Sequence, residues 1–235
     1  PLAGFPGRLV TYARWEELHA ALGPLVAGRR LAMEISPDDA VPYLDRVPWG
    51  VVQLLTRLGA TIVPSGPLVT TFASRWSEGE RADHVAAAEI LAAVAREALA
   101  RAVTEAGSGL TECALQARVI RALEERGLVL DTPPIVGFGA NAANPHYEPH
   151  PGSDATLAAD QVILLDLWAG RSLDTVFADQ TWMGFSGSRV PARVEEVWTV
   201  VREARDAAAR VIREGVAAGR AVAGYEGDRA ARGVI

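Results

Sequence analysis

The feature that most constrains the fold is a self-similarity within the chain. Val94-Ala95-Arg96-Glu97-Ala98 recurs as Val200-Val201-Arg202-Glu203-Ala204, offset by 106 residues. Glu112 and Arg118 recur as Glu226 and Arg232, offset by 114. Each copy reads as a long helix, a Gly-bearing break and a shorter helix. The second copy carries eight more residues in its connection. A repeated helix pair implies a fold of two related halves. Ala-rich helices also resemble one another by chance, so the segments between the copies must carry part of the argument.

Those segments hold two short apolar strands. Val162-Ile163-Leu164-Leu165-Asp166-Leu167-Trp168 and Phe177-Ala178-Asp179-Gln180-Thr181 each place a carboxylate where a strand would prefer none. The connection Ala169-Gly170-Arg171-Ser172-Leu173-Asp174 is polar, contains Gly and can turn the chain back. A turn near Arg171–Leu173 would bring Asp166 and Asp179 close to facing each other. Like charges opposite one another on a sheet are destabilising, and near-contact carboxylates cannot both ionise cheaply. A divalent cation between them removes the conflict, since such cations take carboxylate oxygen. The same spacing also suits two solvent-facing acids on an edge hairpin.

Residues 1–75 read as a small α/β unit. Trp15–Leu22 has helical spacing and Gly28 ends that element. Arg30–Ile35 alternates like a strand, Val51–Leu58 reads as a second helix closed by Gly59, and Thr61–Val63 as a short strand. Pro64-Ser65-Gly66-Pro67 reads as a breaker. The character changes near residue 76. Ser77 followed by Glu80 forms a capping box that opens a helix running through Ala86–Ala106. Thr111 caps a helix from Glu112 to about Arg126.

From Ile135 the pattern turns strand-like and leads into Asn141-Ala142-Ala143-Asn144-Pro145-His146-Tyr147-Glu148-Pro149-His150, a loop of fixed geometry. His146 is held stiffly beside Pro145. It is a candidate for proton transfer or substrate binding, and equally a turn-stabilising or exposed histidine. His150 has weaker claims. Gly184–Ser188 reads as a loop, and Pro191 opens a helix from Val194 to about Ile212.

Composition bounds the function. The net charge of −6 and the pI near 5.3 argue against a nucleic-acid partner; the positive charges are all arginine, a matter of composition rather than function. No run of eighteen apolar residues exists, so no membrane span is expected. The start shows no basic-then-apolar leader pattern. The single cysteine, Cys113, excludes an internal disulfide framework and fits a reducing cytoplasm, where its expected role is a small core residue on a helix.

Pro145-His146-Tyr147, Leu164-Leu165-Asp166, Ala178-Asp179-Gln180-Thr181 and Gly184 together resemble the creatinase, Xaa-Pro aminopeptidase and prolidase superfamily. The resemblance implies a pita-bread α/β fold with pseudo-twofold halves, in agreement with the repeat. Residues 77–235 resemble the first part of that catalytic domain. Residues 1–76 resemble the later part of a creatinase-type N-terminal α/β domain, including Met33-Glu34 and Val41-Pro42-Tyr43. Members of the superfamily bind two divalent ions, Mn, Zn or Co, with two Asp, one His and two Glu. By motif, Asp166 and Asp179 match the two Asp ligands, and His146 matches the substrate-side histidine. The resemblance further implies a cytoplasmic homodimer acting on short peptide substrates with proline after the first residue.

Two departures stand out. The Asp-to-Asp spacing is thirteen, where eleven is usual in the superfamily. Thr181-Trp182 stands where many members have Thr-Arg, which bears on the substrate. No histidine follows His150, and Glu195, Glu196, Glu203, Glu214 and Glu226 lie on or before helices. The chain therefore carries two of five expected metal ligands, and is expected to be inactive by itself and part of a longer enzyme. For the complete protein the resemblance implies two-metal hydrolysis, in which water activated between two ions attacks the scissile carbonyl. The alternatives are chemistry on a small non-peptide substrate, such as creatinase-like cleavage, ectoine-type hydrolysis or an osmolyte lyase reaction, and a non-catalytic binding module.

Overall fold

The computed structural model describes residues 6–235, apart from the side chains of Asp39 and Pro42. The first five residues, where the reading of the chain's start falls, lie outside the described residues. The chain divides into two compact units, Pro1–Glu78 and Gly79–Ile235.

The first unit contains helix α1 (Trp15–Val26), strand β1 (Arg30–Met33), helix α2 (Trp49–Arg57), strand β2 (Thr61–Pro64) and helix α3 (Gly66–Ala73). β1 and β2 pair in parallel, with Arg30 opposite Thr61 and Met33 opposite Pro64. Val26, Leu55 and Ala60 form its small core, with Leu22, Leu31 and Ile62 packed around them. Gly28 ends α1 at φ +70°, a left-handed conformation that only Gly adopts without strain. The expected breaker Pro64–Pro67 starts α3 instead. Pro67 occupies the first turn, where a helix has no use for the missing N–H and the fixed φ is already helical.

The second unit begins with α4 (Glu78–Thr104) and α5 (Glu112–Glu124). Thr111 caps α5, its hydroxyl accepting from the Ala114 amide at 3.2 Å. An antiparallel sheet follows, ordered β3 (Ile135–Phe138), β4 (Val162–Ala169), β5 (Ala178–Phe185). One face of β4, made by Ile163, Leu165, Leu167 and Ala169, is wholly shut from solvent. It packs with Val136 and Phe138 of β3 against Leu91, Val94 and Ala95 of α4 and Leu115, Val119 and Leu123 of α5. Period-2 alternation therefore sends Asp166 and Trp168 of β4, and Asp179, Thr181 and Met183 of β5, to the other face. Asp179, Thr181 and Met183 are exposed there.

Gly184 and Phe185, expected in a loop, extend β5 and pair with Ile163 and Val162. Helices α6 (Ala192–Ala217) and α7 (Gly224–Arg232) follow and pack on each other. Gly215 is buried where a Cβ would strike Val222, so the turn between them closes only on a residue without a side chain. Among the described residues, no helix is long and apolar enough to cross a membrane.

Candidate functional site

The site is built on the face of the sheet that the helices leave open. The loop joining β4 and β5 spans residues 170–177, since Ala169 pairs with Ala178. This register differs by two from one that would set Asp166 directly opposite Asp179. Asp166 stands opposite Thr181, and Asp179 opposite Trp168. The two aspartates are thus diagonal rather than face to face. A shift of two residues preserves the side of the sheet, so both still project from the same face.

The carboxylates sense each other. Partial burial, and then the Asp166 charge, hold the Asp179 carboxyl above its usual range. Thr181 donates its hydroxyl to Asp166 Oδ1 at 2.5 Å, which fixes one oxygen and leaves the other available. Two acids held on neighbouring strands, Asp179 raised by burial and by its neighbour's charge, fit part of a divalent-cation donor set. Among the described residues, no group of three or more His, Cys, Asp or Glu gathers that could hold an ion. Asp174 is exposed in the connecting loop.

A cleft of about 370 Å³ opens against β3 and β4. Its walls include Ile135, the residue opposite Asp166 in β3, and Trp168, two positions along β4. Pro133, Pro134, His146, Tyr147 and His150 complete its lining. The Trp168 indole is fixed, donating Nε1–H to Asp131 at 2.8 Å and to Thr132 at 3.0 Å. That indole bond holds the Asp131 carboxyl below its usual range. His146 is exposed, in a turn where its amide donates to Asn144 Oδ1 at 3.0 Å. Both histidines of the loop thus reach the cleft, not His146 alone.

Bonded to this lining is a residue that sequence reasoning treated only as a helix start. Glu112, the first residue of α5, is wholly buried. Its Oε1 accepts from the Phe138 amide at 2.7 Å and Asn141 Nδ2 at 3.0 Å. Its Oε2 accepts from the Tyr147 hydroxyl at 2.7 Å and the Ala155 amide at 2.8 Å. The bond to this carboxylate, with burial, pushes the Tyr147 phenol up to about 12. Nothing local in the sequence marks the burial, because an acid in the first turn of a helix ordinarily faces solvent and serves the helix dipole.

Trp182, singled out because it stands where arginine is common, lies on the opposite face. It packs against the helix-side core, donates to Gln180 Oε1 at 2.9 Å and lies under Arg96. It does not line the face that carries the aspartates. Cys113 is only partly buried and belongs to neither face of the site; its amide donates to Asp154 Oδ2 at 3.1 Å. His84 faces the hairpin loop, with Nδ1 at 3.1 Å from the Phe177 carbonyl.

The sequence profile of metallopeptidase family M24 matches residues 84–235, well over half of the chain. The chain belongs to that family. Its fold is that of solved peptidases of the same pita-bread type. A dipeptidase, PepE, from Mycobacterium ulcerans superposes with a TM-score of 0.57 at 20% identity, covering 82% of this chain and 47% of its own. A prolidase from Thermococcus sibiricus gives 0.52 at 20% identity, covering 88% and 53%. An Xaa-Pro dipeptidase from Bacillus anthracis gives 0.51 at 18% identity, covering 69% and 44%. The chain spans about half the length of these structures. No curated protein matches it.

Proposed function

We propose that this chain is the metal-binding first part of a dinuclear peptidase domain that acts on short peptides with proline after the first residue. The observation that carries the reading is the pair Asp166 and Asp179, held on one open face, with the Asp179 carboxyl raised by burial and by its neighbour's charge. In this reading each aspartate supplies carboxylate oxygen to the divalent ions, which are Mn, Zn or Co. When bound, such ions polarise a scissile carbonyl and supply a nucleophile at neutral pH. Thr181 keeps the Asp166 carboxylate in one orientation, as outer-shell hydroxyls do for ligands. His146, which lines the cleft, binds the substrate's carbonyl or carries a proton to or from it. Trp168 gives the cleft a flat, fixed apolar wall against which a peptide side chain can lie.

Residues 77–235 are the catalytic part in this reading, and residues 1–76 part of a creatinase-type N-terminal domain. Beside these two aspartates, the dinuclear site in this reading takes one His and two Glu.

The test is an assay of the full-length protein loaded with Mn²⁺ against Xaa-Pro dipeptides, set beside creatine-like and ectoine-like small molecules. Hydrolysis of an Xaa-Pro dipeptide, lost in Asp166→Asn and Asp179→Asn, is the expected result. Turnover of a small non-peptide alone moves the assignment to the other chemistry of the superfamily. No turnover together with no Mn²⁺ binding by calorimetry leaves a binding module and defeats the reading.

A further inference from the structure

We propose that Glu112 is the positioning residue for His146, setting the substrate side of the site from the N-terminus of α5. The inference rests on the role given to His146 above. His146 sits in a tight turn, Asn144–Tyr147, closed by the Asn144 side chain on the His146 amide and by the Tyr147 amide on the Asn144 carbonyl. The turn has no core of its own, and His146 is exposed. What fixes it are its flanks. Asn141 lies three residues before the turn and Tyr147 closes it, and both donate to one carboxylate.

The same carboxylate holds the segments on either side. The Phe138 amide ends β3, and the Ala155 amide begins the return of the chain toward β4. Ala155 also accepts from the Glu112 amide at 3.0 Å, so Glu112 is bound by main chain and side chain to the same residue. One side chain therefore joins four points of the segment 138–155, and His146 lies between the second and the third.

The chemistry of the contact explains why this residue is an acid. All four donors point at two oxygens, and only a carboxylate accepts at both. A glutamine would turn an NH₂ toward two N–H or O–H donors. The N-terminus of α5 favours negative charge there, and the four donors replace the water that a buried carboxylate gives up. Gly137 admits the arrangement: a Cβ there would come within 3.0 Å of the Asn141 and Ala142 backbone, so the Gly139–Ala143 turn can fold back over β3 only above a glycine.

The proposal is tested with Glu112→Gln, Tyr147→Phe and His146→Ala in the full-length protein. Two readouts need no turnover. In an absorbance titration the expected wild-type result is a tyrosine transition displaced upward to about 12. Tyr147→Phe removes that transition, and Glu112→Gln returns it to the ordinary tyrosine range. The ring resonances of His146, assigned by comparison with His146→Ala, shift and broaden in Glu112→Gln.

With the Mn²⁺-loaded protein and an Xaa-Pro dipeptide, Glu112→Gln lowers kcat roughly 10- to 100-fold, with KM changed less than about threefold. In the His146→Ala background it produces no further loss, because the two act on one step. Tyr147→Phe, which deletes a single contact, gives a smaller loss of the same kind and serves if Glu112→Gln does not fold. Losses that multiply in the double variant, or His146 resonances indifferent to Glu112→Gln, overturn the proposal. If the wild type hydrolyses no peptide, the peptidase reading falls, while the histidine resonances still decide this one.

Discussion

Val94 and Ala95 of α4 are shut from solvent, while their counterparts Val200 and Val201 in α6 are 37% and 58% exposed. Glu112 at the start of α5 is buried beneath four donors, while its counterpart Glu226 in α7 lies near the surface. Glu226 reaches back to the Ala223 amide at 2.9 Å and pairs with Arg220 at 2.8 Å. The two helix pairs thus carry similar sequence in different surroundings. Helix and cap are local properties and recur with the sequence. Burial is not local: α4 and α5 are packed against β3 and β4, whereas α6 and α7 are packed against each other, with Trp198, Ile212 and Val216 exposed.

The sharpest way to break that comparison is to remove both acids. Glu112→Ala strands the Phe138 and Ala155 amides and the Tyr147 hydroxyl without an acceptor. Each stranded donor costs about 1–3 kcal/mol, so a loss of about 3–5 kcal/mol is expected in urea unfolding. Glu226→Ala, which unmakes a surface cap, shifts the midpoint far less. Equal losses would mean that the burial of Glu112 contributes nothing.

The next contrast is apolar. Leu91→Ala in α4 empties a fully buried position against the sheet and should cost about 2–5 kcal/mol. Val201→Ala in α6 should stay within about 0.5 kcal/mol. A loss at Val201 comparable with that at Leu91 would show that the α6 face is covered in solution.

The Tyr147 phenol offers a smaller and more selective test. Its folded-state value is raised above that of the unfolded chain, to about 12, so the neutral form is favoured by folding. The associated stability is fully present below about pH 10 and is lost as pH rises toward 12. Urea midpoints measured across that window should fall in the wild type. In Tyr147→Phe the part of the fall due to this residue should vanish.

How far the sequence discloses such a structure depends on the range of the interaction. The helices and the three strands of the second unit follow from periodicity and caps, and their positions are legible within a few residues. The hairpin register is not, because residues 170–177 contain no two-residue turn signal, and an eight-residue connection admits several pairings. The side of the sheet survives the error because the shift is even. α3 escaped notice because Pro-Ser-Gly-Pro serves a turn and a helix start alike. Of the candidate site, the shared face of the two aspartates and the stiff loop around His146 are legible. Glu112 and the Asp131–Trp168 anchor are not. Each joins residues 26 or more positions apart, and no local pattern encodes that.

The smallest expected effect concerns the aspartates themselves. Asp179 binds its proton more tightly folded than unfolded, with burial the larger cause and Asp166 the second. A carboxyl raised in this way favours the fold below its ordinary value near 3.8 and loses that contribution as pH rises through the folded value. At neutral pH the ionised pair is therefore a small liability. Asp179→Asn should raise the urea midpoint of the metal-free chain by the equivalent of less than about 0.5 kcal/mol, the scale of a cross-strand charge pair. At pH 3, where Asp179 is protonated in either state, the gain should disappear. Divalent cation at millimolar concentration should narrow the difference at neutral pH by stabilising the wild type alone, since only the wild type keeps both carboxylates. A gain that persists at pH 3 would place its origin in packing and not in charge, and would remove the electrostatic argument for reading these two aspartates as a pair.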